Sequence, residues 1–176
     1  VLDLVEKRLV TDQMVLTIGY DIDNLTDPKR KNAYHGEVTI DRYGRKVPKH
    51  AHGTINLKSQ TSSTKQIMDA VMELYDRIVD KNLLIRRIYV VACRLSDEAS
   101  AKKKETFEQL DLFTDYAALE QEKQAEKEKM EKERKLQEAV LSVKKKYGKN
   151  AMLKGMNLQE GATSVERNRQ IGGHKA

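Results

Sequence analysis

The sequence predicts a small α+β domain followed by a long charged helix. Three segments rich in β-branched and aromatic residues, at 13–22, 36–60 and 84–97, are typical of strands. Two segments with apolar residues at helical spacing, 1–9 and 61–81, precede and separate them. The order helix, strand, strand, helix, strand predicts a sandwich in which both helices pack on one face of a single sheet.

Composition separates a compact core from a solvated remainder. The 176 residues are 39% hydrophobic and 34% charged, which is too polar for one globule of this length. We therefore expect a domain over 1–98, a linker over 99–118, a charged helix over 119–146 and a flexible tail over 147–176. No apolar run reaches membrane-spanning length, and a single cysteine excludes a disulfide framework, so we expect a cytoplasmic protein without membrane contact.

The beginning of the sequence predicts a helix and then a strand. The first segment has apolar residues at helical spacing: Val1, Leu2, Val5 and Leu9. It begins abruptly and without methionine, so we expect a fragment of a longer protein. A strand before this helix would complete the symmetric β-α-β-β-α-β arrangement, leaving three strands and two helices here. The strand that follows is "QMVLTIGYDI".

The middle of the sequence predicts a loop, two extended pieces and a helix. "DNLTDPKRKN" at 23–32 contains the turn residues of a loop. Residues 36–60 contain two extended pieces, with "RYGRK" as the turn and "HGTINLKS" as the second strand. Ser63 or Thr64 can cap the helix that follows. The apolar face of that helix consists of Ile67, Val71, Leu74 and Ile78.

The last strand, the charged helix and the tail follow from composition. "LIRRIYVVACRLSD" predicts a central strand, with Cys93 as a buried core thiol. Residues 119–146 are strongly helix-forming, with oppositely charged residues four apart. Their apolar positions are too sparse for a coiled coil, which favours a solvated single helix. Glycines in the tail predict one short helix at most.

Residues 29–58 form a basic segment of the predicted domain. They contain eight Lys and Arg against two acids, and the strand then runs into "KSQTSST". Basic side chains neutralise phosphates, while Ser and Thr hydroxyls bond phosphate oxygens without reading base sequence. On charge alone, nucleic-acid binding and a solvated basic loop fit this segment equally well.

The sequence contains no recognisable catalytic or metal-binding set. His50 and His52 would face the same way on a strand, but no Cys or clear carboxylate completes a site with them or with His35. Asp21 and Asp23, two apart at a strand end, are typical of a solvated turn. We therefore expect no metal, no cofactor and no catalysis by this chain alone.

A short acidic segment, 105–118, interrupts the basic sequence. It contains four acids, no Lys or Arg, and both phenylalanines of the chain, which suggests a partner different from that of the basic segment. Within it, "QLDLF" fits either a turn folding back on the domain or a linear motif whose apolar anchors enter a partner's pocket. The motif consists of Gln109, Leu110, Asp111, Leu112 and Phe113.

Three stretches of the sequence resemble one family of proteins. "QLDLF" resembles the pentapeptide by which bacterial DNA polymerases and repair proteins bind the sliding clamp. Its position is similar to that in Y-family translesion polymerases of the UmuC/DinB type, just after their C-terminal little-finger domain. "YGRKVPKHAHGTINLKSQTSSTKQI" and "NRQIGGHKA" resemble UmuC-type polymerases of Gram-positive bacteria. The chain thus resembles a little finger without its first strand, followed by the clamp motif and tail.

The resemblance implies partners and contacts. In this family the sheet of the little finger faces the template-primer duplex and its helices face away. The residues implied to contact phosphates are Arg42, Arg45, Lys46, Lys58, Ser59, Thr61, Ser62 and Ser63. The sliding clamp is the second implied partner, and a recombinase filament or a plain solubility role are both open for the tail. Mg²⁺ and polymerase activity are implied only for a parent protein with upstream palm carboxylates.

The sequence therefore predicts the C-terminal DNA-binding and clamp-tethering region of an error-prone lesion-bypass polymerase in DNA repair and SOS damage tolerance. The alternative is a non-catalytic nucleic-acid-binding adaptor with a charged helical arm. The sequence upstream of Val1 separates the two, because only the polymerase requires a palm with metal-binding carboxylates.

Overall fold

The computed structural model describes residues 1–101, 116–171 and 174–175. These residues form two compact units, one containing residues 7–101 and the other combining 2–6 with the described residues from 116 onward. In this described part of the chain, no helix has the length and apolar character needed to cross a membrane.

The helices and strands alternate along the chain, with one long helix near the end. In order they are α1 (Leu2–Glu6), β1 (Leu9–Tyr20), α2 (Asp23–Thr26), α3 (Pro28–Ala33), β2 (Val38–Ile40), β3 (Lys46–Pro48), β4 (Ala51–Thr61), α4 (Thr64–Ile78), β5 (Ile85–Cys93), β6 (Ser96–Asp97), α5 (Glu98–Ala101), α6 (Tyr116–Tyr147), the 3₁₀ helix Gly155–Leu158, α7 (Ser164–Arg167), β7 (Gln170–Ile171) and β8 (His174–Lys175). The predicted α+β class is confirmed, with antiparallel sheets and a long helix.

The first unit is built on an antiparallel sheet in the order β4-β1-β5. Both neighbours run antiparallel to β1, which places Thr17 opposite His52 on one side and Tyr89 on the other. The short strand β6 also pairs with the start of β1. Helix α4 connects β4 to β5, so the three long strands and this helix correspond to elements that the sequence predicts.

The core lies between one face of β1 and helix α4. Leu16 and Ile18 of β1 and Leu74 of α4 are essentially fully buried. Alternate residues of a strand point to opposite faces, so the buried positions of β1 alternate with half-buried ones. Gly53 of β4 lets α4 approach closely, because a Cβ there would lie 3.0 Å from Leu74 and 3.2 Å from Ile78. Each fully buried aliphatic side chain stabilises the fold by roughly 1.5–3 kcal/mol.

The predicted cap of α4 is confirmed. Ser63 is the N-cap, and its side-chain oxygen accepts a hydrogen bond from the Gln66 N–H at 3.2 Å. One turn earlier, the Thr61 hydroxyl accepts from the Ser63 N–H at 3.0 Å. Both hydroxyls therefore hold the connection between β4 and α4.

Strand β5 differs from the central strand that the sequence predicts. It lies at an edge of the sheet, and among the described strands it pairs with β1 alone. Ile88 and Val90 lie on the same face as α4 but are about half exposed, because α4 packs mainly on β4 and β1. Cys93 is half-buried rather than a buried core thiol. A continuous apolar run is common to central strands and to uncovered edges, so composition alone did not separate them.

The segment between β1 and β4 also contains more structure than predicted. The expected loop at 23–32 holds the short helices α2 and α3. Asp27 caps α3, because its carboxylate accepts from the N–H groups of Lys29 and Arg30, and Pro28 occupies the first turn. The predicted "RYGRK" turn is present between β2 and β3, which form a hairpin separate from β4.

The second unit is dominated by α6, which confirms the long charged helix. An Arg134–Glu138 ion pair at 3.0 Å has the predicted spacing of four residues. Helix α1 packs against α6, whereas the sequence predicted that it would pack on the sheet. Leu4 and Val5 of α1 are buried.

The tail contains a 3₁₀ helix, α7 and the paired short strands β7 and β8, where the sequence predicted one short helix at most. Asn168 Nδ2 donates to Asn150 Oδ1 at 2.7 Å, and Asn150 Nδ2 donates to the Val165 carbonyl at 3.2 Å. These amide bonds tie the residues just after α6 to the region around α7. Such contacts have no periodic pattern, which explains why the sequence did not predict them.

Candidate nucleic-acid interface

One face of the sheet is not covered by α4. On β1 this open face carries Gln13, Val15, Thr17 and Gly19, which alternate with the buried residues. Residues of β4 and β5 that pair with these positions lie on the same face and form rows across the three strands. The rows are Asn56–Gln13–Cys93, Thr54–Val15–Val91, His52–Thr17–Tyr89 and Gly19–Arg87. The open face is therefore polar over β4, whereas over β5 it is aromatic and apolar, with the basic Arg87 at the start of the strand.

Hydrogen bonds across the strands hold the polar side chains of this face. Thr17 Oγ1 and His52 Nδ1 lie 2.8 Å apart, and Gln13 Nε2 donates to Asn56 Oδ1 at 2.9 Å. Because these side chains are already positioned, a ligand would meet a surface whose rotamers are largely ordered.

His35, His50 and His52 do not come together in one cluster. The rings of His50 and His52 meet edge to face with centroids 6.4 Å apart. His35 lines another cleft, of about 670 Å³, beside Asp27 and Asp80. No group of three metal-ligating side chains occurs among the described residues.

The turn of the β2–β3 hairpin is held by Asp41 and Arg45. Asp41 Oδ2 accepts from Arg45 Nε and Nη2 at 2.9 and 2.7 Å, while Oδ1 accepts from the N–H groups of Tyr43 and Arg45. The hydrogen bonds from the Arg45 side chain and backbone lower the pKa of Asp41 to about 2. Asp41 therefore offsets much of the charge that the sequence assigned to Arg45 for phosphate binding.

Tyr43 lies at the exposed tip of the hairpin among guanidinium groups. Arg42 lies 4.7 Å from the ring centroid and donates to the hydroxyl at 2.5 Å, and Arg45 lies 5.0 Å from the same centroid. The hydrogen bond from Arg42, together with the nearby charge of Arg87, lowers the pKa of Tyr43. The hairpin tip and the start of β5 thus share a strongly positive region.

A groove of about 360 Å³ lies between this hairpin and the open face of the sheet. Thr17 and Gly19 of β1 lie along it, Arg87 and Tyr89 of β5 line one side, and the hairpin with Tyr43 lines the other. Basic and aromatic side chains together are typical of nucleic-acid-binding surfaces.

The predicted phosphate contacts fall in three places. Arg42, Arg45 and Lys46 belong to the hairpin, and Arg42 and Lys46 are exposed. Lys58 and Ser59 are exposed on the second half of β4. These residues remain candidates, with Arg45 weakened by its pairing to Asp41.

The third group of predicted phosphate contacts lies in the connection between β4 and α4, and two of its residues are no longer candidates for phosphate binding. Thr61 is 2% exposed and Ser63 is 8% exposed, and both hydroxyls take part in the local hydrogen bonds described above. Neither can reach a phosphate without opening the cap of α4. Ser62, between them, is half-buried.

Sequence reasoning missed Arg87 and Tyr89. These residues lie two apart on β5, so both side chains point to the open face. Period-two spacing of a basic and an aromatic residue was the available signal. It was overlooked because the strand was interpreted as central, where both faces would be covered.

The predicted clamp-binding residues, 109–113, lie outside the described residues. The motif therefore stays a prediction from sequence.

Comparison with known proteins adds no relative. No family model, no curated protein and no solved structure matches the chain. A function is therefore inferred from the residues of the chain itself and from the sequence resemblance described above.

Proposed function

We propose that this chain binds DNA through the open face of its sheet and the β2–β3 hairpin, and that it is the C-terminal region of a Y-family lesion-bypass polymerase. The observation that carries the proposal is the uncovered sheet face, bordered by exposed basic residues on three elements. These residues are Arg42, Lys46, Lys58 and Arg87. Helix α4 packs on the other face, as the proposal requires.

Phosphate contact, rather than base reading, fits the chemistry of this face. Its cations lie on a sheet and a short hairpin rather than on a recognition helix of the kind that enters a major groove. Four neutralised phosphates predict a slope of log K against log salt of about −3.6, since each phosphate contributes about −0.9. The interaction is therefore expected to be strongly salt-dependent and insensitive to DNA sequence.

The little-finger topology is part of the same proposal. Strands β4 and β5 run parallel and are joined by α4, with β1 between them, which fits one half of a β-α-β-β-α-β arrangement. Among the described strands β5 pairs with β1 alone, so its outer edge can accept a further strand.

Clamp binding by Gln109–Phe113 completes the proposal. Burying Leu110, Leu112 and Phe113 contributes roughly 1.5–3 kcal/mol each. Ordering a flexible peptide offsets several kcal/mol of this gain, so we expect a dissociation constant in the micromolar range. Such an affinity suits brief recruitment to a lesion in the bacterial cytoplasm. Polymerase activity with Mg²⁺ is proposed only for a protein that also contains the palm.

A salt titration of the whole chain with a short DNA duplex tests the DNA proposal. Fluorescence anisotropy between 50 and 300 mM salt should give the slope of about −3.6, and Arg87→Ala should make it shallower by about 0.9. Lys81→Ala is the matched control, because Lys81 is an exposed lysine just after α4 that pairs with Asp76. A slope near zero, or equal changes for both variants, contradicts the proposal.

A further inference from the structure

We propose that the groove between the β2–β3 hairpin and the sheet binds an unpaired nucleotide, whose base stacks on Tyr89. The inference rests on the proposed DNA binding and specifies which form of DNA the groove recognises. A duplex would lie across the open face, and a single-stranded extension of that duplex would enter the groove.

Tyr89 is placed as a stacking platform. It is 53% exposed, and strand pairing with Thr17 directs it to the open face of the sheet. Arg87 and Val91 lie two residues before and two residues after Tyr89 on β5. Both therefore share its face and flank the ring with a cation and an apolar side chain. An exposed aromatic ring on a basic sheet is a surface on which an unpaired base stacks, whatever its identity.

The groove has room for a base because Gly19 contributes no side chain to it. Gly19 lies opposite Arg87, and the added Cβ of a larger residue would lie 3.6 Å from the Arg87 Cβ, at ordinary contact distance. The groove volume of about 360 Å³ falls within the range of ligand sites, roughly 300–1,000 Å³. A larger residue at position 19 would therefore reduce the space without straining the strand.

Charge at the mouth of the groove complements the phosphate of the same nucleotide. Arg42 donates to the Tyr43 hydroxyl, and Arg87 approaches that hydroxyl from the side of β5. A phosphate at this position would receive hydrogen bonds from two guanidinium groups on different elements. The bases of a duplex are stacked on each other, so a duplex can use these cations but cannot use the ring of Tyr89.

Two DNA substrates and two variants of the whole chain test this inference. The substrates are a blunt duplex and the same duplex with a short single-stranded overhang that carries 2-aminopurine. We expect Tyr89→Leu to lower the ratio of overhang affinity to blunt-duplex affinity by roughly 5- to 150-fold, the effect of one lost base stack. Tyr89→Phe keeps the ring and should retain both affinities.

Fluorescence and a second variant make the readout specific. Binding should quench the 2-aminopurine of the overhang, and Tyr89→Leu should abolish that quenching. Gly19→Val should weaken overhang binding by filling the groove while Tyr89 is still present. Equal weakening of both substrates by Tyr89→Leu would overturn the inference and leave the proposed DNA binding intact. Failure of the wild-type chain to bind either substrate would overturn the proposed function itself.

Discussion

Replacing Asp41 by Asn should make DNA binding tighter and more sensitive to salt. Asp41 Oδ2 binds the Arg45 guanidinium through two hydrogen bonds, and Oδ1 accepts the two backbone N–H groups that shape the turn. Asn retains an oxygen for the backbone groups but presents an amide NH₂ to Arg45. The variant therefore keeps the turn and releases Arg45 as an unpaired cation beside Tyr43.

The size of this effect follows from counterion release. One additional phosphate contact steepens the slope of log K against log salt by about 0.9. Between 200 and 50 mM salt, the ratio of variant to wild-type affinity should therefore rise by about 3.5-fold. Anisotropy titrations of one labelled duplex at both salt concentrations measure this ratio directly.

Asp76→Asn is the matched control for Asp41→Asn. Asp76 is an exposed carboxylate on α4 that pairs with Lys81 at 2.6 Å, so its replacement changes the net charge equally at a helix on the opposite side of the sheet. We expect no change of slope for this variant. If Asp41→Asn leaves the slope unchanged, Arg45 is not part of the interface. If both variants steepen the slope equally, DNA binding depends only on the net charge of the chain and not on Arg45.

Three further outcomes are expected. Leu112→Ala combined with Phe113→Ala should abolish binding to the sliding clamp in surface plasmon resonance while the anisotropy titration with DNA stays unchanged; clamp binding at wild-type affinity would refute the motif. Leu74→Ala should lower the free energy of unfolding in urea by about 2–5 kcal/mol, because the side chain is fully buried against β1 and β4; a loss below 1 kcal/mol would place it outside the core. The folded-state pKa of Asp41 is lowered from 3.8 to about 2. The stabilising contribution of its ionised carboxylate should therefore be complete above pH 3.8 and disappear as the pH falls towards 2. The melting temperatures of the wild type and of Asp41→Asn should converge over that range.

Local patterns predicted the elements that depend on local physics. The helix from Thr64 to Ile78 and its Ser63 cap follow from residues within four positions of one another, and structure and sequence agree there. The predicted strand at 13–22 is observed as Leu9–Tyr20 for the same reason. Boundaries shift by a few residues because the ends of strands depend on partners far away in sequence.

Non-local pairing could not be predicted in the same way. That β1 lies between β4 and β5 depends on contacts more than thirty residues apart, and no period within one strand encodes them. The position of β5 at an edge follows from this order, and with it the exposure of Tyr89. The sequence therefore placed the candidate interface in the basic region around 42–58, without the residues that β5 contributes.

Charge alone does not select the proposed DNA-binding surface. Residues 119–146 contain nine Lys and Arg, more than the hairpin and the sheet face together, but seven acids of the same segment offset them. Lys145 and Lys146 are exposed at the end of α6, and exposed lysines lose side-chain entropy when they bind. Beside the open face, by contrast, the Arg42 guanidinium is held by the hydroxyl and the ring of Tyr43. A positioned cation binds a regular polyanion at a lower entropic cost than mobile cations interspersed with acids, which favours the sheet and its hairpin over α6 as the proposed DNA-binding surface.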